Sequence, residues 1–240
     1  MDAQPGATVE VTTTYLHIPG RSAFRPASPP DDPNLLLLRA REPLPAFYRF
    51  LYGAIGRDYY WLDRLAWSDE RLHAHLARPE VTLLVLYVRG TPAGYIELDA
   101  AAAEPGTEVA YFGLISGFQG RGLGKLLLSA GVQRAFDDGA GRVWVHTCSL
   151  DGPHALTTYQ GRGFVPYKTV IHTETLPIGP SGVTIPGSQP GDTVLDWSAP
   201  GDRWTPELVA AVPEGTEPGF VFRALGLRDL DDAPMEASHG

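Results

Sequence analysis

Three groups of residues have side chains or backbone able to do chemistry. The first is Gln119-Gly120-Arg121-Gly122-Leu123-Gly124-Lys125, three glycines interspersed with two cations. The second is a pair of proton-transfer candidates, Glu108 upstream of that stretch and Tyr159 downstream. A carboxylate can take a proton from an amine, and a phenol can donate to a leaving group. The third is His146 and Cys148, which alternate along one β-like run and so face the same side. A thiol beside an imidazole invites a nucleophile reading, but such a dyad needs geometry that spacing does not supply. His146, Cys148, His154 and His172 lack zinc-ligand spacing, so no metal is expected.

The glycine stretch is defined by what flanks it. Val109 to Ile115 is an apolar, β-like run, and Leu123 to Phe136 is a helical one. A glycine-rich turn between a strand and a helix leaves N–H groups unpaired where the helix dipole is positive, which suits a phosphate or pyrophosphate. A side chain there would block close approach of the ligand to the backbone. The stretch is not a phosphate loop of the Walker type, because Gln119 stands where the first glycine belongs and Leu126 replaces the Ser/Thr. Neither register of the dinucleotide fingerprint fits, since the third glycine falls on Lys125 or on Leu127.

What fits is Gln-x-x-Gly-x-Gly, and a second pattern follows it: Ala155, Tyr159 and Gly163-Phe164, read as Ala-x-x-x-Tyr-x-x-x-Gly-Phe. Together, in this order and with one strand-length run between them, they resemble the two signatures of the GCN5-related N-acetyltransferase (GNAT) superfamily. The resemblance covers about residues 35–176. It implies a mixed central β-sheet flanked by helices, splayed between the fourth and fifth core strands to admit coenzyme A.

The elements that must position these residues can be read from the pattern. Val9 to Ile18 could be a strand, and a proline-rich loop follows. Leu35 to Ala40 is expected as the first core strand. Helices are expected over Pro43 to Ile55 and over Asp69 to Ala77, the second capped by Ser68. Strands follow at Val81 to Arg89, Ala93 to Leu98 and Val109 to Ile115. In the helix after the glycine stretch, Leu123, Leu126, Leu127 and Ala130 form an apolar face. Arg142 to Cys148, Pro153 to Gln160 and Phe164 to Thr175 read as strand, short helix and strand. The order is that of an α/β layer design. Residues 1–34 are expected as an N-terminal extension, 35–176 as the acyltransferase domain, and 177–240 as an acidic Pro/Gly-rich C-terminal extension. That last segment holds ten acidic residues against three arginines, so most of the net charge of −9 lies there.

Composition narrows the class. The acidic balance argues against nucleic acid as a partner and is compatible with a cationic amine substrate. The longest apolar runs are too short to span a bilayer, and the N-terminus lacks the pattern of a signal peptide. A single cysteine, Cys148, suits a reducing cytoplasm, which is the expected location.

The resemblance assigns roles residue by residue. The backbone amides of Gln119, Gly120, Arg121, Gly122, Leu123, Gly124 and Lys125 would take the pyrophosphate. The backbone of Phe112, Gly113 and Leu114 would take the pantetheine arm, which adds to the sheet edge like a strand. Tyr159 matches the tyrosine whose hydroxyl lies near the coenzyme A sulfur. Glu108 stands eleven residues before Gln119, the spacing of the catalytic glutamate in the histone-acetylating branch. Burial beside Tyr111 or Tyr95 would raise its pKa; Glu97 and Asp99 are second-choice bases. Asp151, or Gly152 if counted one residue closer to Tyr159, stands where the family often has Asn, and Asp151 could serve as a helix cap. Tyr59, Tyr60 and Trp61, with Trp67, lie between the first two helices, a region that commonly lines the acceptor pocket. The implied activity is direct transfer from acetyl-CoA to a primary amine, with a small molecule as acceptor and a monomer or homodimer as the working form. The alternative is a non-catalytic acyl-CoA-binding module on the same fold.

Overall fold

The computed structural model describes residues 7–176 apart from Asp31 and Leu62. The expected C-terminal extension, 177–240, lies outside the described residues. One seven-stranded sheet runs β2-β3-β4-β5-β6-β1-β7. Its strands are β1 (Ala7–Ile18), β2 (Leu35–Arg39), β3 (Val81–Val88), β4 (Thr91–Asp99), β5 (Thr107–Leu114), β6 (Val143–Cys148) and β7 (Val165–Leu176). Helices α1 (Pro45–Gly56) and α2 (Asp69–Leu76) cover one face; α3 (Leu123–Asp137) and α4 (Ala155–Gln160) belong to the other. Each face has its own core. Leu126, Leu127 and Ile96 lie in the core under α3, and Tyr48, Leu51 and Tyr95 in the one under α1 and α2.

Local sequence explains most of the boundaries. Pro45 opens α1, where its missing N–H is not needed. Ser68 caps α2 by accepting from the Arg71 N–H at 3.2 Å, and Asp69 and Glu70 occupy the positive end of its dipole. Pro153 and His154 do not join α4, which starts at Ala155.

The N-terminal boundary expected at residue 35 leaves out a strand of the sheet. β1 lies between β6 and β7, pairing antiparallel with both. Leu16 and Ile18 are fully buried opposite Val145 and Val143. Such a pairing joins residues more than 100 positions apart, as in Thr13 with Cys148, and no local pattern announces it.

Two irregularities in β5 shape the site. Against β4 the register shifts so that Glu97 pairs with Tyr111 while Leu98 pairs with Val109, leaving Ala110 as a bulge. Against β6 the strands are parallel and pair only at Thr107–Val143 and Glu108–Trp144. Beyond Glu108 they part, as the family resemblance implies for the fourth and fifth core strands.

Candidate active site

The parting of β5 and β6 opens a cleft of about 830 Å³. The N-terminus of α3 closes one end. Gly120 (φ 72°) and Gly122 (φ 77°) are left-handed, the conformation that only glycine adopts without strain. Gly122 is the N-cap residue, so no side chain can satisfy the first helical amides. Among the described residues no carbonyl outside the helix takes the N–H groups of Gly120 to Gly124. Gly120, Gly122, Gly124 and Lys125 line the cleft, so the amides and the ammonium converge on it. Three of the residues expected here behave differently. The Gln119 N–H is bonded to Ser116 O at 3.1 Å, because a 3-10 turn at Ser116–Phe118 closes on it. Its side chain instead donates to Leu114 O at 3.2 Å and to the Tyr59 hydroxyl at 3.3 Å. The Arg121 guanidinium lies over the Phe118 ring at 5.6 Å, and Leu123 is buried in the core, so Leu123 can offer only its backbone.

Phe112, Gly113 and Leu114 line the cleft from β5, where the strand has no partner on that edge. Tyr159 reaches it from α4, its ring edge-on to Phe112 (6.0 Å) and Phe164 (5.7 Å). Burial, and then the charge of Asp151, push its phenol well above the ordinary value, so the hydroxyl keeps its proton as a donor. Asp151 does not cap α4. Its Oδ2 accepts from Thr147 Oγ1 (2.6 Å) and from the Cys148 N–H (2.9 Å), fixing the turn after β6.

Glu108 has an ion-pair contact with His146. Its Oε1 stands 3.3 Å from His146 Nδ1, across the last rung before the strands part. The Glu108 side chain is 15% exposed and that of His146 47%, and it is the imidazole that lines the cleft. The Glu108 hydrogen bond, opposed by burial, raises the His146 pKa above its ordinary value. The second-choice bases are committed elsewhere. Asp99 forms a two-pronged ion pair with Arg78 at 2.9 and 3.1 Å. Glu97 is fully buried and accepts from Tyr48 Oη, Arg64 Nη2 (2.9 Å) and His75 Nε2 (2.8 Å).

Tyr59, Tyr60 and Trp61 all line the cleft, on the loop between α1 and α2. Trp61 is also a packing residue: its ring meets Tyr52 (5.5 Å) and Tyr111 (5.1 Å). Trp67 is not on the cleft; the guanidiniums of Arg64 and Arg71 each lie 4.0 Å from its ring centre. The structure adds residues that sequence reasoning did not select as site residues. Asp63 and Tyr111 join the aromatic wall, and Thr13, Tyr15 and Glu174 form the facing one. The last three are brought there by the insertion of β1 and by β7. Cys148 also lines the cleft, but burial, followed by the charge of Asp151, raises its thiol pKa. That favours the thiol over the thiolate a nucleophile needs. No metal-binding group of His, Cys, Asp or Glu occurs among the described residues. No helix among them is long and apolar enough to cross a membrane.

The fold and cleft define an α/β domain with a parted sheet and an uncapped helix N-terminus bordering the cleft. Residues 48–164 match the acetyltransferase (GNAT) family, and that segment is a GNAT-type domain. Similar solved structures include a functionally unknown conserved protein from Staphylococcus epidermidis, at 16% identity, TM-score 0.50, covering 70% of this chain and 62% of that one. A GCN5-related N-acetyltransferase from Kribbella flavida is similar at 19% identity and TM-score 0.49, covering 71% of this chain and 60% of that one. An aminoglycoside acetyltransferase from an uncultured soil metagenomic sample, in complex with trehalose, is similar at 21% identity and TM-score 0.48, covering 59% of this chain and 95% of that one. The chain thus spans about three fifths of the length of the first two relatives. No curated protein matches the sequence.

Proposed function

We propose that the protein is an acetyl-CoA-dependent N-acetyltransferase that transfers the acetyl group directly to a primary amine of a small molecule. The observation that carries this reading is the parting of β5 and β6 directly after Glu108, with uncapped helix amides at one end of the cleft and the Glu108–His146 pair at the other. The residues present fit coenzyme A. The amides of Gly120 to Gly124, with Lys125, suit a pyrophosphate. The unpaired edge of β5 at Phe112 to Leu114 suits an amide-bearing arm laid along it as an added strand.

Chemistry then falls to three side chains. A bound thioester supplies an activated acetyl carbon. His146 takes the proton from the attacking amine nitrogen, and Glu108 behind it holds the ring and stabilises the imidazolium that forms. As the new C–N bond forms and the C–S bond breaks, the Tyr159 hydroxyl donates to the departing sulfur. The phenol suits that task because burial keeps it protonated. Cys148, held as a thiol, is not needed for an acyl-enzyme. The His146–Glu108 pair on the cleft favours an enzyme over a non-catalytic coenzyme-binding module.

The test is thermal stability with acetyl-CoA, coenzyme A and ATP, followed by amine-dependent release of free thiol. A ligand that binds only the folded state raises the midpoint by mass action. Shifts with both coenzymes but not with ATP, and thiol release lost in His146→Gln, are expected. No shift with either coenzyme at millimolar concentration would sink the reading.

A further inference from the structure

The cleft is lined by groups of both charges. Lys125 and the α3 amides make one end electropositive. Carboxylates line the cleft as well: Asp63, Asp151 and Glu174. Glu174 is matched by His172 at 3.0 Å, and Asp151 is spent on Thr147 and Cys148. Asp63 differs. Among the described residues it has no cationic partner; its contact is the Tyr111 hydroxyl, which donates to Oδ2 at 3.4 Å. The neighbouring cation, Arg64, turns away from it, with Nη2 on buried Glu97. Asp63 lies beside the Trp61 and Tyr111 rings, which are 5.1 Å apart and line the same wall. An exposed carboxylate edged by electron-rich rings is a recognition site for an organic cation, since charge and quadrupole attract it together. Asp63 also contributes to the raised His146 pKa, so the two groups share one field.

We propose that the acceptor carries two cationic nitrogens, one delivered as the free amine to His146 and the other held as an ammonium by Asp63 against Trp61 and Tyr111. This rests on the acetyltransferase reading and names its substrate class as a small aliphatic diamine or polyamine. Asp63 is then the residue that distinguishes such acceptors from monoamines. Trp61 and Tyr111 supply the apolar wall along which the carbon chain lies.

The experiment compares putrescine and cadaverine with n-butylamine and n-pentylamine as acceptors, by thiol release from acetyl-CoA, in the full chain and in Asp63→Asn. The expected result is a preference of roughly tenfold in kcat/KM for each diamine over its matched monoamine, carried mainly by KM. In Asp63→Asn the preference falls close to unity, while the thermal shift with coenzyme A stays as it was. That last control excludes a merely structural role for the carboxylate. Monoamines used as well as diamines, or a preference that survives Asp63→Asn, overturns the inference and leaves the acetyltransferase reading standing. No turnover of any amine overturns both. A coenzyme shift would then mark a binding module, and its absence would remove the coenzyme site as well.

Discussion

Removing the Arg64 guanidinium while keeping its bulk, as in Arg64→Met, tests how the acceptor wall is held. Arg64 sits in the loop that carries Tyr59, Tyr60, Trp61 and Asp63, and it ties that loop to the sheet. Its Nη2 donates to Glu97 Oε1 at 2.9 Å, and the guanidinium carbon lies 4.0 Å from the Trp67 ring centre and 5.3 Å from that of Tyr111. Glu97 is 0% exposed. Without Arg64 its charge keeps only His75 and the Tyr48 phenol, which burial pushes well above its ordinary value and so leaves neutral. Breaking a buried pair from one side costs about 3–5 kcal/mol, because the remaining charge is uncompensated. For a domain of this size that lowers Tm by about 10 °C. The assay is thermal unfolding of wild type, Arg64→Met, Glu97→Gln and the double variant. The double variant should recover much of the loss, since removing both charges leaves no buried ion to solvate. An Arg64→Met protein within about 1 °C of wild type, or a double variant no more stable than the single one, would refute this account of the hub.

Three further outcomes follow from the geometry. His146 is raised above its unfolded value of 6.5 by Glu108, and a base must be unprotonated to act. The acidic limb of kcat/KM should therefore inflect above pH 6.5, and Glu108→Gln should move it down. An unmoved limb would separate the pair from the chemistry. The same shift makes the pair's contribution to stability full below that pH, and it is lost as pH rises through the folded pKa. Tyr159→Phe should lower kcat by about 10²-fold and leave the coenzyme thermal shift intact; an unchanged kcat would remove the phenol from the mechanism. Gly163→Ala should cost about 2 kcal/mol or more, because φ is +97° and an added Cβ would stand 2.1 Å from Ala23 O. Chemical denaturation measures it, and a cost below about 0.5 kcal/mol would contradict the clash.

Much of the core domain was legible because its signals are local. The period of Leu123, Leu126, Leu127 and Ala130 predicts α3, and those four residues are buried in it. Ser68 before Asp69 and Glu70 predicts the start of α2, and its cap bond is present. The glycines could be read because φ near 70° at Gly120 and Gly122 is a property of single residues. What escaped is long-range. The pairing of β1 with β6 and β7 brings Thr13 and Tyr15 to the cleft. The ion-pair partner of Glu108 is His146, on the neighbouring parallel strand. The commitments of Glu97 and Asp99 could not be seen either, because Arg64, His75 and Arg78 meet them only through packing.

The bulge at Ala110 joins these local and distant features. In a regular strand Glu108 and Tyr111 would face opposite sides, since successive side chains alternate. The extra residue restores them to one face, so that the proton-transfer pair and the aromatic wall with Asp63 border one opening. It leaves Val109, Phe112 and Leu114 in the core on the α3 side. The same strand therefore anchors the sheet through one set of side chains, leaves its edge unpaired beyond Glu108, and carries Glu108 and Tyr111 on its other face. A sequence scan assigns Val109 to Ile115 as one uninterrupted strand. The bulge arises from the register that β4 imposes, through Glu97 opposite Tyr111 and Leu98 opposite Val109. The geometry of the cleft thus depends on a pairing that no segment of the chain specifies alone.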